Sequence, residues 1–271
     1  MKPAPPPNFD PVARIYRFAE YLSLGPLLQR TRTHFIPQLP PAHQALILGD
    51  GDGRALATLL ATQPHLQALA VDTSAAMLHQ LRQRNRPYAN RLQTLQASAL
   101  DLFPNATPTI GPPGPQAPVT NSPTQVASPP RISSEAVPSP PKTGYPEALA
   151  SGLISPQESK GVLTPDLITT HFFLDCLTQP QLDALAQNLA AHTAPGALWL
   201  LSDFAIPATP ILKPFAAAYI RFLYFAFRIL TNLRVTHLPN PQASLTSANF
   251  HRVARHELLH GLLYTEIWQR G

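Results

Sequence analysis

The chain has 271 residues, 44% of them apolar and 13% charged, a composition that builds a core and leaves little charged surface. Its one cysteine, Cys176, excludes an internal disulfide framework and a cysteine-cluster zinc site. The formal charge of +5 is scattered without a basic run, so nothing reads as a nucleic-acid patch, and a mild attraction to anions is as much as it supports.

The first ten residues are proline-rich and lack an apolar h-region, so they do not read as a secretory signal. Together with the single thiol this predicts a reducing, cytoplasmic setting. Residues 1–44 are expected to form capping helices over a domain of 45–271. That domain opens with a short apolar strand at 45–48, which runs into glycines. A helix at 54–62 follows, with Leu56, Leu59 and Leu60 on one face, and Pro64 stops it. A second strand at 66–71 ends at Asp72. Thr73 or Ser74 caps a helix to residue 84, and a third strand occupies 92–97.

Residues 104–163 carry fourteen prolines among Ser, Thr, Ala, Gly and Gln, with no apolar period. Such a segment cannot bury enough apolar surface to offset its ordering entropy, so a disordered insertion is expected there. Loop closure grows only logarithmically with length, so the fold tolerates it. A fourth strand is predicted at 167–170. Thr178 then caps a helix with Pro180 in its first turn and Leu182, Leu185 and Leu189 as its buried stripe. Pro195 and Gly196 turn the chain into a fifth strand at 197–202. The stretch 211–233 is apolar and aromatic but interrupted by Lys213, Arg221 and Arg228. It reads as a helix capping a pocket, ahead of a peripheral membrane contact. Residues 252–258 and 262–268 flank Gly261 as an antiparallel pair. The strand–helix alternation predicts an α/β fold whose mostly parallel sheet is covered on both faces. Ligands of such sheets bind beyond the carboxyl ends of the strands.

The first strand exits through Gly49-Asp50-Gly51-Asp52-Gly53-Arg54. A dinucleotide fingerprint needs its third glycine at position 54, where this chain has arginine. Two acids inside the turn would repel a pyrophosphate and suit a cationic ligand such as a sulfonium. Asp72 lies nineteen residues beyond Gly53, at a strand end, where a carboxylate can accept from both hydroxyls of a ribose. A nicotinamide oxidoreductase is therefore disfavoured.

Ala45-Leu-Ile-Leu-Gly-Asp-Gly-Asp-Gly53 resembles the first motif of the class I S-adenosylmethionine-dependent methyltransferases. Val71-Asp-Thr-Ser-Ala-Ala-Met-Leu78 resembles their second-strand motif, and Asp166-Leu-Ile-Thr-Thr-His-Phe-Phe-Leu174 their fourth. Ala97-Ser-Ala-Leu-Asp101 sits where the family contacts adenine, with Ser98 where many members carry Asp. The resemblance implies a Rossmann-like, doubly wound, seven-stranded sheet with an antiparallel C-terminal strand. It implies S-adenosylmethionine held by Gly49, Asp50, Gly51, Gly53, Asp72, Thr73, Met77, Ser98, Ala99 and Thr170. Ile47 departs from the family, which usually has Asp or Glu there. Phe9-Asp-Pro-Val-Ala-Arg-Ile-Tyr16 and Leu201-Ser-Asp-Phe-Ala-Ile-Pro207 are similar to the quinone-biosynthesis type.

His171, at the fourth strand's exit, is the candidate general base or substrate orienter, with an ordinary pKa near 6.5. Asp175 would share its helical face, and Asp203 follows the fifth strand. Phe172 and Phe173 line a pocket or the core. His251, His256 and His260 read as surface or strand residues, and no metal is expected. The function expected is methyl transfer to a small hydrophobic or aromatic acceptor. The alternative is an inactive cofactor-binding or assembly protein.

Overall fold

The computed structural model describes residues 24, 26–103, 164–207, 209–210, 212–221 and 238–271. The expected insertion, the motif at 9–16 and most of 211–233 lie outside them. Seven strands form one sheet in the order β3-β2-β1-β4-β5-β7-β6. They are β1 (Gln44–Leu48), β2 (Gln67–Asp72), β3 (Leu92–Gln96), β4 (Leu167–His171), β5 (Leu198–Phe204), β6 (Phe250–Leu258) and β7 (Leu263–Arg270). β1 to β5 pair in parallel, and β7 runs antiparallel to both β5 and β6. This is the Rossmann-like, doubly wound sheet with an antiparallel C-terminal strand that the family resemblance implies, and its parallel part is what the strand–helix alternation predicts.

The central strands are apolar on both faces because helices cover both. Leu46, Leu48, Ile168, Trp199 and Leu201 pack with the stripe of α4 (Gln179–His192), namely Leu182, Leu185 and Leu189. Ala45, Ile47, Leu167 and Leu200 point the other way, onto Leu56, Leu59 and Leu60 of α2 (Arg54–Thr62). The period of two along each strand thus sorts one apolar run into two cores. Ile47 is 1% exposed in the second core, so the position that the family fills with an acid is a packing position here. Thr178 caps α4 through a reciprocal box with Gln181, as the Thr178–Pro180 signal predicts.

Further helices pack against this frame. α1 (Pro26–Thr33) lies against α2, β5 and β7. α3 (Ala75–Arg84) connects β2 to β3, and α5 (Pro241–Ser247) packs on α4 and β6. Residues 213–221 are helical, with Ala216 and Ile220 buried and Phe215 73% exposed. Among the described residues no helix is long and apolar enough to cross a membrane. The chain leaves β3 on one side of β1 and re-enters at β4 on the other. The switch point, where such sheets hold ligands, is therefore the crevice between the exits of β1 and β4.

Candidate functional site

β1 leaves the sheet through a turn that only glycine can make at three positions. Gly49, Gly51 and Gly53 have φ of 66°, 62° and 79°. A Cβ on Gly53 would lie 2.6 Å from Asn85 Nδ2 and 2.9 Å from Leu81 Cγ, so this glycine lets α3 close on α2. A Cβ on Gly49 would lie 2.5 Å from the ring of Phe173, which rests over the first glycine from the β4 exit.

The two turn acids have different fates. Asp50 is 8% exposed, and its Oδ2 accepts from the Leu56 N–H at 3.1 Å, which ties down the first turn of α2. Its Oδ1 is buried and finds no hydrogen-bond donor among the described residues. Burial pushes the Asp50 carboxyl up to about 7, against the pull of the Arg32 guanidinium. Asp52 is instead paired with Arg54 Nε at 3.0 Å and Arg84 Nη2 at 2.9 Å. The expectation of two acids facing a cationic ligand is thus corrected: two guanidinium groups claim Asp52, and only Asp50 has an oxygen to offer.

Asp72 ends β2 half-buried, and its Oδ1 accepts from the Ser74 N–H at 2.8 Å. Ser74, rather than Thr73, caps α3, accepting from the Met77 N–H at 3.1 Å. Thr73 is exposed beside it, and the Asp72 carbonyl accepts from the Ala97 N–H at 3.1 Å. This bond draws the exits of β2 and β3 together, so Asp72, Thr73 and Ser98 share one rim. Ser98 Oγ accepts from the Leu100 N–H at 3.2 Å. Three other expected contacts have buried side chains. Met77 and Ala99 are buried inward, and Thr170 Oγ1 accepts from Trp199 Nε1 at 2.9 Å beneath the rim.

His171 is placed differently from its expectation. Register pairs it with Ser202, and its Nδ1 lies 3.0 Å from Ser202 Oγ. The Ser202 hydroxyl is itself the donor toward Thr265 Oγ1 at 3.0 Å or the Thr31 carbonyl at 3.5 Å. Thr265 Oγ1 in turn donates to the Leu201 carbonyl at 3.0 Å, so with the Ser202 proton directed along this chain Nδ1 of His171 is the donor in the remaining bond. Burial, reinforced by Arg32, lowers the imidazole to about 3. His171 is 4% exposed and neutral at physiological pH, the anchor of a buried hydroxyl chain beneath α1 and not a base of ordinary pKa.

The next residue, Phe172, has φ 53°, which costs a bulky side chain on the order of 1–3 kcal/mol. Its N–H donates to the Ser202 carbonyl at 2.7 Å, its ring lies 5.0 Å from that of Phe204, and Arg32 covers it at 5.0 Å. These contacts hold the reversal that swings Phe173 back over Gly49. The same turn carries Asp175 away from His171 and toward Asp203. Asp203 Oδ2 accepts from the Asp175 N–H at 3.1 Å, and Oδ1 accepts from the Phe204 N–H at 2.8 Å. Asp175 therefore shares no helical face with His171; it pairs with the β5 acid. Burial raises both carboxyls, and the charge of Asp175 raises Asp203 further.

The acid pair walls a cavity of about 280 Å³ between the β5 exit and the start of α5. Phe204, Ile206 and Leu238 supply apolar wall, and Tyr264 and Glu266 come from β7. Arg32 and Tyr264 are site neighbours that the sequence pattern does not single out. His256 stacks on His34 at 3.7 Å, and His251 and His260 are exposed.

No protein-family model matches the chain, and no curated protein matches it. Solved structures do match in fold. An O-methyltransferase family protein from Burkholderia thailandensis aligns with a TM-score of 0.57 at 13% identity, over 96% of this chain and 59% of its own. An O-methyltransferase family 2 protein from Planctomyces limnophilus, in complex with apigenin, gives 0.56 at 14%, over 96% and 62%. A methyltransferase of calicheamicin biosynthesis in its SAH-bound form gives 0.55 at 13%, over 97% and 60%. The chain spans about three-fifths of the length of each of these proteins.

Proposed function

We propose that the chain is an S-adenosylmethionine-dependent methyltransferase acting on a small hydrophobic or aromatic molecule. The observation that carries this is the buried Asp50 Oδ1, which lacks a donor beside the Gly49 turn at the sheet's switch point. An ammonium group on a ligand would supply that donor. Asp72, at the neighbouring strand exit, would hold the ribose, and Thr73 and Ser98 would border the base. When bound, the cofactor supplies a methyl group on a sulfonium. The residues' part is to hold, align and exclude water, because the leaving group is already good. Gly49 and Gly51 make the turn that carries the backbone past the strand exit, and the Phe173 ring packs directly on Gly49.

The fold likeness supports the reading, since the Burkholderia and Planctomyces proteins are O-methyltransferase family members by name and the calicheamicin protein was solved with SAH. An aromatic acceptor is in keeping with the apigenin complex of the Planctomyces protein. A chain with one cysteine is in keeping with a reducing, cytoplasmic setting. Ile47 favours a second reading, an inactive cofactor-binding or assembly protein, because it removes one acid that would grip the ammonium. Calorimetry with S-adenosylmethionine, its demethylated product and NADH separates these readings. Binding of the first two but not the third is expected. Saturation by NADH alone refutes the proposal, and binding without methyl release across an acceptor panel selects the second reading.

A further inference from the structure

Asp50 and Asp52 stand two residues apart in one turn and are satisfied in opposite ways. Asp52 is paired with Arg54 and Arg84. Asp50 is 8% exposed, its Oδ2 accepts from the Leu56 N–H, and among the described residues its Oδ1 has no hydrogen-bond partner. An ionised carboxylate held in this way is costly, because burial strips its water and one oxygen gains nothing in return. A proton relieves that cost. Since Oδ2 already accepts a bond, the proton belongs on Oδ1. That is the same oxygen to which the ammonium of the proposed ligand would donate, so proton and ammonium compete for one atom.

The surroundings set where this competition falls. Burial raises Asp50 to about 7. Arg32 from α1, the Leu56 N–H and Arg54 from α2 act in the other direction, and Asp52 within the turn adds to the rise. Arg84, from α3, reaches the turn at Asp52. His171, on β4 and under the influence of the same Arg32, is lowered to about 3 and stays neutral across this range.

We propose that Asp50 makes the cofactor site proton-operated: an ammonium-bearing nucleoside expels a proton from Oδ1 as it binds, so that loading of the site strengthens as pH rises through neutrality. The inference rests on the methyltransferase reading and adds a regulation to that same site. In the exchange, the O–H bond of the protonated carboxyl breaks, its electron pair stays on Oδ1, and the proton leaves to solvent. The ligand's ammonium keeps its three protons and donates one hydrogen bond to the freed oxygen. Oδ2 retains its bond from Leu56, so neither the turn nor α2 has to move. With a midpoint near 7, about nine-tenths of the unliganded protein carries the proton at pH 6 and about one-tenth at pH 8. Affinity should therefore rise by about tenfold across that window. A nucleoside without an ammonium has nothing to put in the proton's place.

The test is calorimetry of the full chain with S-adenosylhomocysteine, the demethylated product, in pairs of buffers that differ in ionisation enthalpy. The difference in heat counts the protons released. About 0.9 proton per site is expected at pH 6 and about 0.1 at pH 8, with binding about tenfold tighter at pH 8. 5′-Methylthioadenosine, which has the nucleoside but no ammonium, should release none at either pH. Asp50→Asn should bind S-adenosylhomocysteine more weakly, with no proton release and no pH dependence. Asp175 and Asp203, also raised by burial, remain in that variant, so any proton they supply stays visible there. The inference is overturned if the parent binds at pH 6 without releasing a proton, or if Asp50→Asn or methylthioadenosine releases as much as the parent does with the full ligand. If the variant does not fold, or a comparison binds too weakly to measure, the parent's proton count at the two pH values decides alone. Binding without proton release overturns this inference and leaves the methyltransferase reading standing, whereas failure of S-adenosylhomocysteine to bind at either pH overturns both.

Discussion

Asp50 offers the sharpest link between the turn's geometry and a measurable quantity. Its carboxyl rises from an ordinary 3.8 to about 7, with burial as the main cause. A shift of roughly three units is worth about 4 kcal/mol at 1.4 kcal/mol per unit. The sign follows from proton counting. Between the two values the folded state holds a proton on Asp50 that the unfolded chain has released. This contribution to stability is complete below about pH 4 and is lost as pH rises through 7. Asp50→Asn keeps an oxygen for the Leu56 N–H and removes the titration. Urea unfolding of parent and variant from pH 4 to 8 should show the variant gaining on the parent by about 2–4 kcal/mol across that window. Asp175, Asp203 and His171 also titrate with folding, but they do so in both proteins and cancel in the difference. Parallel stability profiles would refute the view that Asp50 is a desolvated acid awaiting a donor. A saturating ammonium-bearing cofactor should flatten the parent's profile too, since a bound cation keeps the carboxylate ionised.

Three other outcomes follow from the same site. Gly53→Ala places a side chain at φ 79° against Asn85 and Leu81, and should destabilise the protein by about 2–3 kcal/mol in urea. Gly49→Ala and Phe173→Ala should be non-additive by about 1 kcal/mol, because the new methyl clashes with the ring that the second change removes; an additive cycle would show that they do not touch. The His171 imidazole should give NMR shifts that stay flat from pH 5 to 8, with the neutral Nδ1–H tautomer, and a midpoint in that range would contradict its buried chain to Ser202.

The strands were legible because a parallel sheet buried on both faces needs short, fully apolar runs, and this chain has them between helix signals. β5 extends two residues past its expected end, to Phe204, because Asp203 and Phe204 pair with Tyr264 and Leu263. Such pairing is visible only once the C-terminal hairpin is placed. The glycine turn and Asp72 were legible as a spacing. The charge of the turn was not, since Arg84, thirty-two residues beyond Asp52, neutralises it in space. Arg32 gave no signal either: one arginine in a short polar helix looks like its neighbour Arg30, and only the fold buries it beside Asp50 and His171.

The three polar residues at the β4 and β5 exits show how register decides chemistry. Successive side chains on a strand point to opposite faces. Ser202 and Asp203 are adjacent on β5, so one must lie beneath α1 and the other toward α4. In-register pairing sets His171 beside Ser202, which commits the imidazole to the α1 side, among hydroxyls and Arg32. Asp203 is thereby sent to the opposite face, where the 174–176 turn delivers Asp175 to it. A histidine and a carboxylate that look like partners in sequence are thus separated by the thickness of the sheet. A shift of one residue in the β4–β5 register would turn β4 over relative to β5 and bring the imidazole to the face of Asp203. The choice of carboxyls over imidazole at the cavity wall is therefore a consequence of strand pairing, laid down by the apolar residues that precede both groups.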